Sequence, residues 1–240
     1  MNINAGKEAT EMKKAMLLLI FAWGCVGTVQ AGEALPLQAH PDTTGWENLF
    51  TADLSNAIYP KGVWTVENGE LTASKDECIF TRNTYENFML DLEFKMGNAA
   101  NSGVIVYCSD TKTWIPNSVE IQILDDADPK WTNAAPNWKC GGLFGHSTPM
   151  KQMGKKAGEW NRMTIACKGP MICVLLNGQR VTEANLKDWS SAAKNPDGSK
   201  IPPWLNRPLA ELATKGRIGL QGKHGGAPIY FRHLKIKPVE

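Results

Sequence analysis

Between residues 62 and 236 the chain is a succession of short, strand-length runs, each closed by a turn. Residues 62–73 read as strand, turn, strand about Asn68-Gly69, and residues 172–181 repeat the pattern about Asn177-Gly178. Asn-Gly between apolar runs is a strong hairpin signal, because both residues tolerate the positive φ of a tight two-residue turn. Residues 88–94 alternate apolar and polar side chains with period two, as a strand with one face in a core must. Residues 103–107, 119–124, 163–167, 217–221 and 229–236 have the same character. Sustained helical periodicity is absent from residues 32–240. Many short strands with regular turns predict an all-β sandwich or barrel. Two irregular stretches, 125–158 and 185–211, interrupt the pattern. Loops of this length in a compact domain are usually functional or disordered.

The N-terminus sets the expected compartment. Met12-Lys13-Lys14 is followed by an apolar run over 15–26 and by small residues ending at Val29-Gln30-Ala31. That is the layout of a secretory signal peptide, and the run is too short for a membrane span. Residues 1–11 precede the signal proper, cleavage is expected after Ala31, and the product is expected in the periplasm or outside the cell. Cys25 follows Ala22-Trp23-Gly24, a poor lipoprotein site. Residues 32–240 are then expected to form one domain. The net charge of +2 gives no ground for nucleic acid or an anionic membrane surface as partner. Cys78, Cys108, Cys140, Cys167 and Cys173 remain after cleavage, an odd number without metal-type spacing. They read as buried small hydrophobes, with Cys167 and Cys173, on either side of a hairpin, the most plausible disulfide.

The segment Glu120-Ile121-Gln122-Ile123-Leu124-Asp125 is the richest in chemistry. Strand side chains alternate faces, so Glu120 and Gln122 share one face while Ile121 and Ile123 share the other. Asp125 falls opposite Glu120 unless a bulge near Leu124 returns it, and ordinary glycoside hydrolysis needs two carboxyl groups flanking the bond. Of four histidines, His146 and His224 lie in Gly-rich loops, where the backbone leaves access for a substrate. Trp138 is the best sugar-stacking candidate, a flat apolar ring on a loop. Asp125, Asp126 and Asp128 read as an acidic turn rather than a Ca²⁺ site. No metal ligand set is assigned; no cofactor is evident, and a divalent metal stays open.

Several segments together resemble a known family. They are Gly45-Trp46-Glu47-Asn48-Leu49-Phe50, Trp64 to Leu71, Asn101-Ser102-Gly103-Val104 and Glu120 to Asp125. Gly158-Glu159-Trp160-Asn161, Leu176-Asn177-Gly178 and Gly219-Leu220-Gln221 through Phe231-Arg232 complete the set. In this order and spacing, over roughly residues 42–237, the chain resembles the 3-keto-disaccharide hydrolases. The resemblance implies a concanavalin A-like jelly roll and a substrate whose glycosyl C3 hydroxyl is oxidised to a ketone. The ketone acidifies the C2 proton; its removal expels the C1 leaving group, and water addition completes a net hydrolysis. The resemblance then implies Glu120 or a loop histidine as base and His146 or His224 as acid. Gln122, Asn101 and Lys223 become donors to the enolate or hydroxyls. Ser102, Tyr107, Trp138 and Gln221 join Asn101 and Lys223 as substrate contacts. A separate oxidoreductase would have to make the ketone. An ordinary glycosidase and a non-catalytic carbohydrate-binding module are the competing readings.

Overall fold

The computed structural model describes residues 37–239, so the expected signal peptide lies outside the described residues. Thirteen strands run in chain order as β1 (Glu47–Asn48), β2 (Ala57–Ile58), β3 (Trp64–Glu67), β4 (Glu70–Ala73), β5 (Ile79–Thr81), β6 (Phe88–Met96) and β7 (Asn101–Cys108). They continue as β8 (Val119–Leu124), β9 (Trp160–Lys168), β10 (Met171–Leu176), β11 (Gln179–Asn185), β12 (Arg217–Leu220) and β13 (Ile229–Pro238). Both Asn-Gly hairpins form: Asn68 and Gly69 have φ of 53° and 78°, Asn177 and Gly178 of 50° and 83°. Those paired positive values match the right-handed twist of the flanking strands. Among the described residues the only helical turns are short 3₁₀ segments.

The strands form two antiparallel sheets, a jelly-roll sandwich. One has the order β11-β10-β9-β6-β13-β4-β3, with β1 also on β13; the other has the order β2-β5-β12-β7-β8. Phe88, Leu90, Leu92, Phe94 and Met96 of β6 turn inward, meeting Val104 and Val106 of β7 and Ile121 and Ile123 of β8 in one core. Each such buried side chain contributes about 1.5–3 kcal/mol relative to exposure. The outward residues of the five-stranded sheet are thereby left for chemistry.

The five cysteines among the described residues are all free. Cys167 pairs across the strands with Ile172, and Cys173 with Ala166. The two sulfurs therefore stand on opposite faces, and the disulfide expected from the hairpin does not form. Cys167 belongs to the inter-sheet core and Cys173 to a smaller cluster with Leu37 and Leu175.

Tyr107 is a further correction. Regular alternation would aim it outward with Asn101 and Ile105, as a substrate contact. Its φ is 57°, and the register with β12 shifts between Arg217 and Gly219. This bulge reverses the phase of β7. Tyr107 turns into the core, 1% exposed, with its hydroxyl donating to the Gly169 carbonyl at 2.7 Å, while Cys108 turns outward to join Phe80 and Ile105. Gly216 permits the bulge, because a Cβ there would lie 2.3 Å from the Tyr107 carbonyl carbon. Tyr107→Phe, which removes the hydroxyl's bond to the part-buried Gly169 carbonyl, is expected to lower unfolding free energy by about 1 kcal/mol in urea titration. Turnover of any substrate should stay unchanged; a selective loss of activity without loss of stability would return Tyr107 to the site.

Candidate active site

Strand β8 supplies the site's centre. Val119, Ile121 and Ile123 anchor in the core, so Glu120 and Gln122 stand on the outer face. Gly103 pairs with Gln122 and Ile105 with Glu120 across β7. A Cβ on Gly103 would lie 2.1 Å from Glu120 Oε1 and 2.7 Å from its Cδ. The carboxyl of Glu120 therefore lies in the space a side chain at 103 would fill. Gln122 Nε2 donates to Asn101 Oδ1 at 2.9 Å, which leaves the Asn101 amide N–H₂ and the Gln122 oxygen for a ligand.

The free edge of β8 is not bare. Gln122 N–H donates to Gly142 O, Gly141 N–H to Gln122 O, and Phe144 N–H to Glu120 O. The loop thus closes a strand edge that would otherwise expose unpaired backbone groups. It also stands Trp138 and Phe144 beside Glu120, with ring centroids 5.1 Å apart. Trp204, from the second long loop, meets Trp138 edge-on at 6.3 Å and is 47% exposed. Asn195 Nδ2 and Asn137 Nδ2 both donate to Gly145 O, tying the two loops together.

The opposite wall comes from the turns after β4 and β12. Ser102 Oγ donates to Gln221 O, and Gln221 N–H to Gly103 O, so the strand end is fixed beside Glu120. A Cβ on Gly222 would lie 2.4 Å from Lys75 O, so only glycine lets residues 75–77 approach. Across that contact Asp76 Oδ2 and His224 Nδ1 lie 2.6 Å apart. An Asp bonded to Nδ1 fixes the ring and its tautomer and frees Nε2 for proton transfer. Asn101, Glu120, Gln122, Trp138, Gln221 and His224 line one cleft of about 330 Å³, within the range of small-molecule sites.

Burial first, and then the negative charge of Asp76, push the Glu120 carboxyl up to about 8. A carboxyl so placed holds its proton at neutral pH and still exchanges it near the working pH. The neighbouring Cys78 thiol is also pushed up, by burial and by Glu120, which makes it inert as a nucleophile.

The structure thus brings together Asn101, Glu120, Gln122, Trp138, Gln221 and His224, and it corrects three other assignments. His146 is buried, its Nδ1–H donating to Phe144 O at 2.9 Å and its Nε2 without a partner. Burial lowers its pKa, against the Phe144 bond. It does not line the cleft, because the edge loop turns it inward. Ser102 is fully buried and holds backbone rather than substrate. Lys223 bonds Lys75 through its backbone N–H and does not line the cleft. Asp125 stays off the Glu120 face, accepting from Ala99 N–H, while Asp126 accepts from Cys140 N–H and Asp128 from Lys130 N–H. All three carboxylates of that turn therefore cap backbone groups. No metal-holding cluster of three or more His, Cys, Asp or Glu occurs among the described residues.

Three contributors were not assigned to the site from the sequence: Asp76, Trp114 and Phe144. Asp76 lies 148 residues from His224, and no local pattern connects them. Trp114 and Phe144 are loop aromatics, and only Trp114 carried a sequence signal.

Residues 40–237 match the family described as the 3-keto-alpha-glucoside-1,2-lyase-like domain. The chain belongs to this family. The span agrees with the resemblance read from the motifs. A 3-keto-disaccharide hydrolase of Bacteroides thetaiotaomicron is 23% identical, with 89% of this chain and 85% of that protein aligned. A crystal structure from Parabacteroides distasonis, provisionally described as a glycosyl hydrolase, is 55% identical. It covers 81% of this chain and 99% of its own, with a TM-score of 0.79. A carbohydrate-binding module of Bacillus subtilis shares the fold alone, at 9% identity and a TM-score of 0.50 over 78% of this chain and 99% of its own.

Two measurements check the carboxyl's environment. The folded value of Glu120 is raised to about 8 from 4.5, so its contribution to stability is full below pH 4.5 and declines as pH rises through 8. Glu120→Gln is therefore expected to match wild type near pH 4 and to exceed it by roughly 1 kcal/mol or more above pH 8. Gly103→Ala should displace the carboxyl and cut kcat at least about tenfold while the far-ultraviolet spectrum stays that of a β protein.

Proposed function

We propose that this chain cleaves the glycosidic bond of a 3-oxidised sugar by elimination across C1 and C2, followed by water addition. The observation that carries this reading is the pairing, across one cleft, of a carboxylic acid protonated at neutral pH, Glu120, with an Asp76-oriented His224. Elimination needs one group able to accept the C2 proton and another able to give one to the departing oxygen. His224 Nε2 is free to accept, with Asp76 stabilising the imidazolium that results. Glu120 holds a proton to donate to the glycosidic oxygen as the C1–O bond breaks. The electron pair of the C2–H bond becomes the enolate, whose C3 oxygen bears the charge. The Asn101 amide, held by Gln122, supplies a donor to that oxygen. As the leaving group departs from C1, a C1=C2 bond forms and the C3 ketone is restored. Water then adds across C1 and C2 to give the free keto sugar. Trp138, Phe144 and Trp204 offer faces for the sugar's C–H surface.

The reading also asks for an oxidoreductase that installs the C3 ketone and, with the signal-like N-terminus, for action in the periplasm or outside the cell. An ordinary glycosidase is the second reading. Asp76 is near enough to Glu120 to raise its pKa, and a protonated acid beside an ionised carboxylate is the pattern such enzymes use. Against it, Asp76 is committed to His224.

Matched p-nitrophenyl glucoside and 3-keto-glucoside, with and without EDTA, separate the readings. Release of p-nitrophenol from the ketone alone is expected, whereas release from the unoxidised sugar would replace elimination by ordinary hydrolysis. A drop on EDTA would add a metal to the mechanism. Glu120→Gln should abolish turnover of the methyl 3-keto-glucoside, whose alkoxide leaving group needs the acid. Asp76→Asn should lower kcat by about 10²-fold or more through loss of histidine orientation, with KM little changed. Full activity in either variant would overturn the assigned roles.

A further inference from the structure

A second cleft of about 570 Å³ adjoins the first, and Trp114 and Ile115 line both. The two side chains come from the loop between β7 and β8, residues 109–118, which ends in the 3₁₀ turn Ile115–Asn117. Burial alone does not hold this wall: Ile115 is 39% exposed, and Trp114 is half-buried against Phe80, Ile105 and Cys108. The loop is shaped by its own polar groups. Asp110 accepts from Lys112 N–H through Oδ1 and from the Thr113 hydroxyl through Oδ2. Asn117 is the hub. Its Nδ2 donates to Thr113 O at 2.8 Å, its N–H donates to Trp114 O, and its carbonyl accepts from Ser109 N–H. All of these bonds run within residues 109–118, so they set the loop's shape and not its place over the clefts. A further hydrogen bond leaves the loop at Asn117. Arg207 Nη1 donates to Asn117 Oδ1 at 2.9 Å, between residues 90 apart in the chain. Arg207 belongs to the second long loop, shortly after Trp204, whose ring lines the first cleft. Leu205 and Leu209 on either side are buried in the core, and Arg207 Nη2 donates to Glu211 O at 3.3 Å. The guanidinium therefore projects from an anchored stretch, yet Arg207 itself lines neither cleft.

We propose that Arg207 is a positioning residue for substrate binding: by holding Asn117 it fixes Trp114 and Ile115 over both clefts and sets their place relative to Trp204. The inference rests on the keto-glycoside reading only for the substrate that reads it out. An aromatic wall held in place before binding spares the ligand the cost of ordering it, so the brace acts on affinity. Glu120 stands on β8, and Asp76 and His224 stand on the turns after β4 and β12, so the proton-transfer groups keep their places when the brace is lost. Because Trp114 and Ile115 border both clefts, that loss weakens contact with the sugar and with its leaving group alike.

The test removes the donors and keeps the apolar stem, with Arg207→Met. Turnover of methyl 3-keto-glucoside is expected to show KM raised about three- to tenfold and kcat within about twofold of wild type. Arg207→Lys, which restores a cationic donor, should recover part of the affinity. In an Asn117→Ala background Arg207→Met should add little, because the partner is already gone. An unchanged KM, losses at the two positions that multiply independently, or a fall in kcat at constant KM overturns the proposal and leaves the elimination chemistry standing. Should Arg207→Met fail to fold, Arg207→Gln, too short to reach Asn117, serves in its place. Amide hydrogen exchange reads the brace without any substrate. Residues 109–118 should exchange about fivefold or more faster in Arg207→Met, with β6 and β9 unchanged. Should no keto-glucoside be cleaved, the elimination reading falls and exchange decides the brace by itself: faster exchange confined to residues 109–118 supports it, and unchanged exchange there refutes it.

Discussion

A carboxylic acid on the face of a sheet keeps a proton at neutral pH only where it is sheltered from water, and here the shelter is the missing side chain of Gly103. The Glu120 carboxyl occupies the volume where a Cβ would be, lying on the strand beside it. The surrounding structure serves that placement. The edge loop covers β8 on one side, and Gln221, fixed by Ser102, closes the other. Burial raises the carboxyl's pKa, and the charge of Asp76 raises it further. A larger residue at 103 would push the group into solvent, where its pKa would fall back and its proton would be lost at neutral pH.

Glycine performs a second, distinct service at 222. There the need is close backbone approach between two turns that the sequence separates widely. Without it Lys75–Glu77 and Gln221–His224 could not meet, and the Asp76–His224 pair would not form. The two devices converge, so the acid and the oriented imidazole line one cleft. The sandwich itself contributes rigidity: sites carried on strands hold their geometry more tightly than sites carried on loops alone.

The far face of the eight-stranded sheet shows how the chain before β1 is secured. Gly178 N–H donates to His40 Nε2 at 2.8 Å, so Nδ1 carries the proton and donates to Thr164 Oγ1, which in turn donates to buried Asp91. Arg162 Nε reaches Asp91 Oδ1 at 3.0 Å and balances the charge. The N-terminal segment is thus tied down on the face away from the cleft. Burial and Arg162 lower the His40 pKa against the pull of Asp91, keeping the ring neutral as the relay requires.

The sequence by itself determined β3, β4 and β6 to β13, because period-two alternation and Asn-Gly turns are local properties, whereas the short β1, β2 and β5 carry no such signal. It also placed Glu120 and Gln122 on the face opposite Ile121 and Ile123, and the ordered motifs carried the family. It erred at Tyr107, where one left-handed residue reversed a strand's phase, and at His146, whose glycine-rich neighbours suggested access although the loop folds the ring inward. Tertiary structure alone decided that Asp76 meets His224, that Ser102 holds backbone, and that Asp125 caps a turn instead of facing Glu120. The reason is physical: alternation and turn chemistry act between residues a few positions apart. The acid's environment and the histidine's partner arise from contacts between distant segments, which exist only once the sheets have paired.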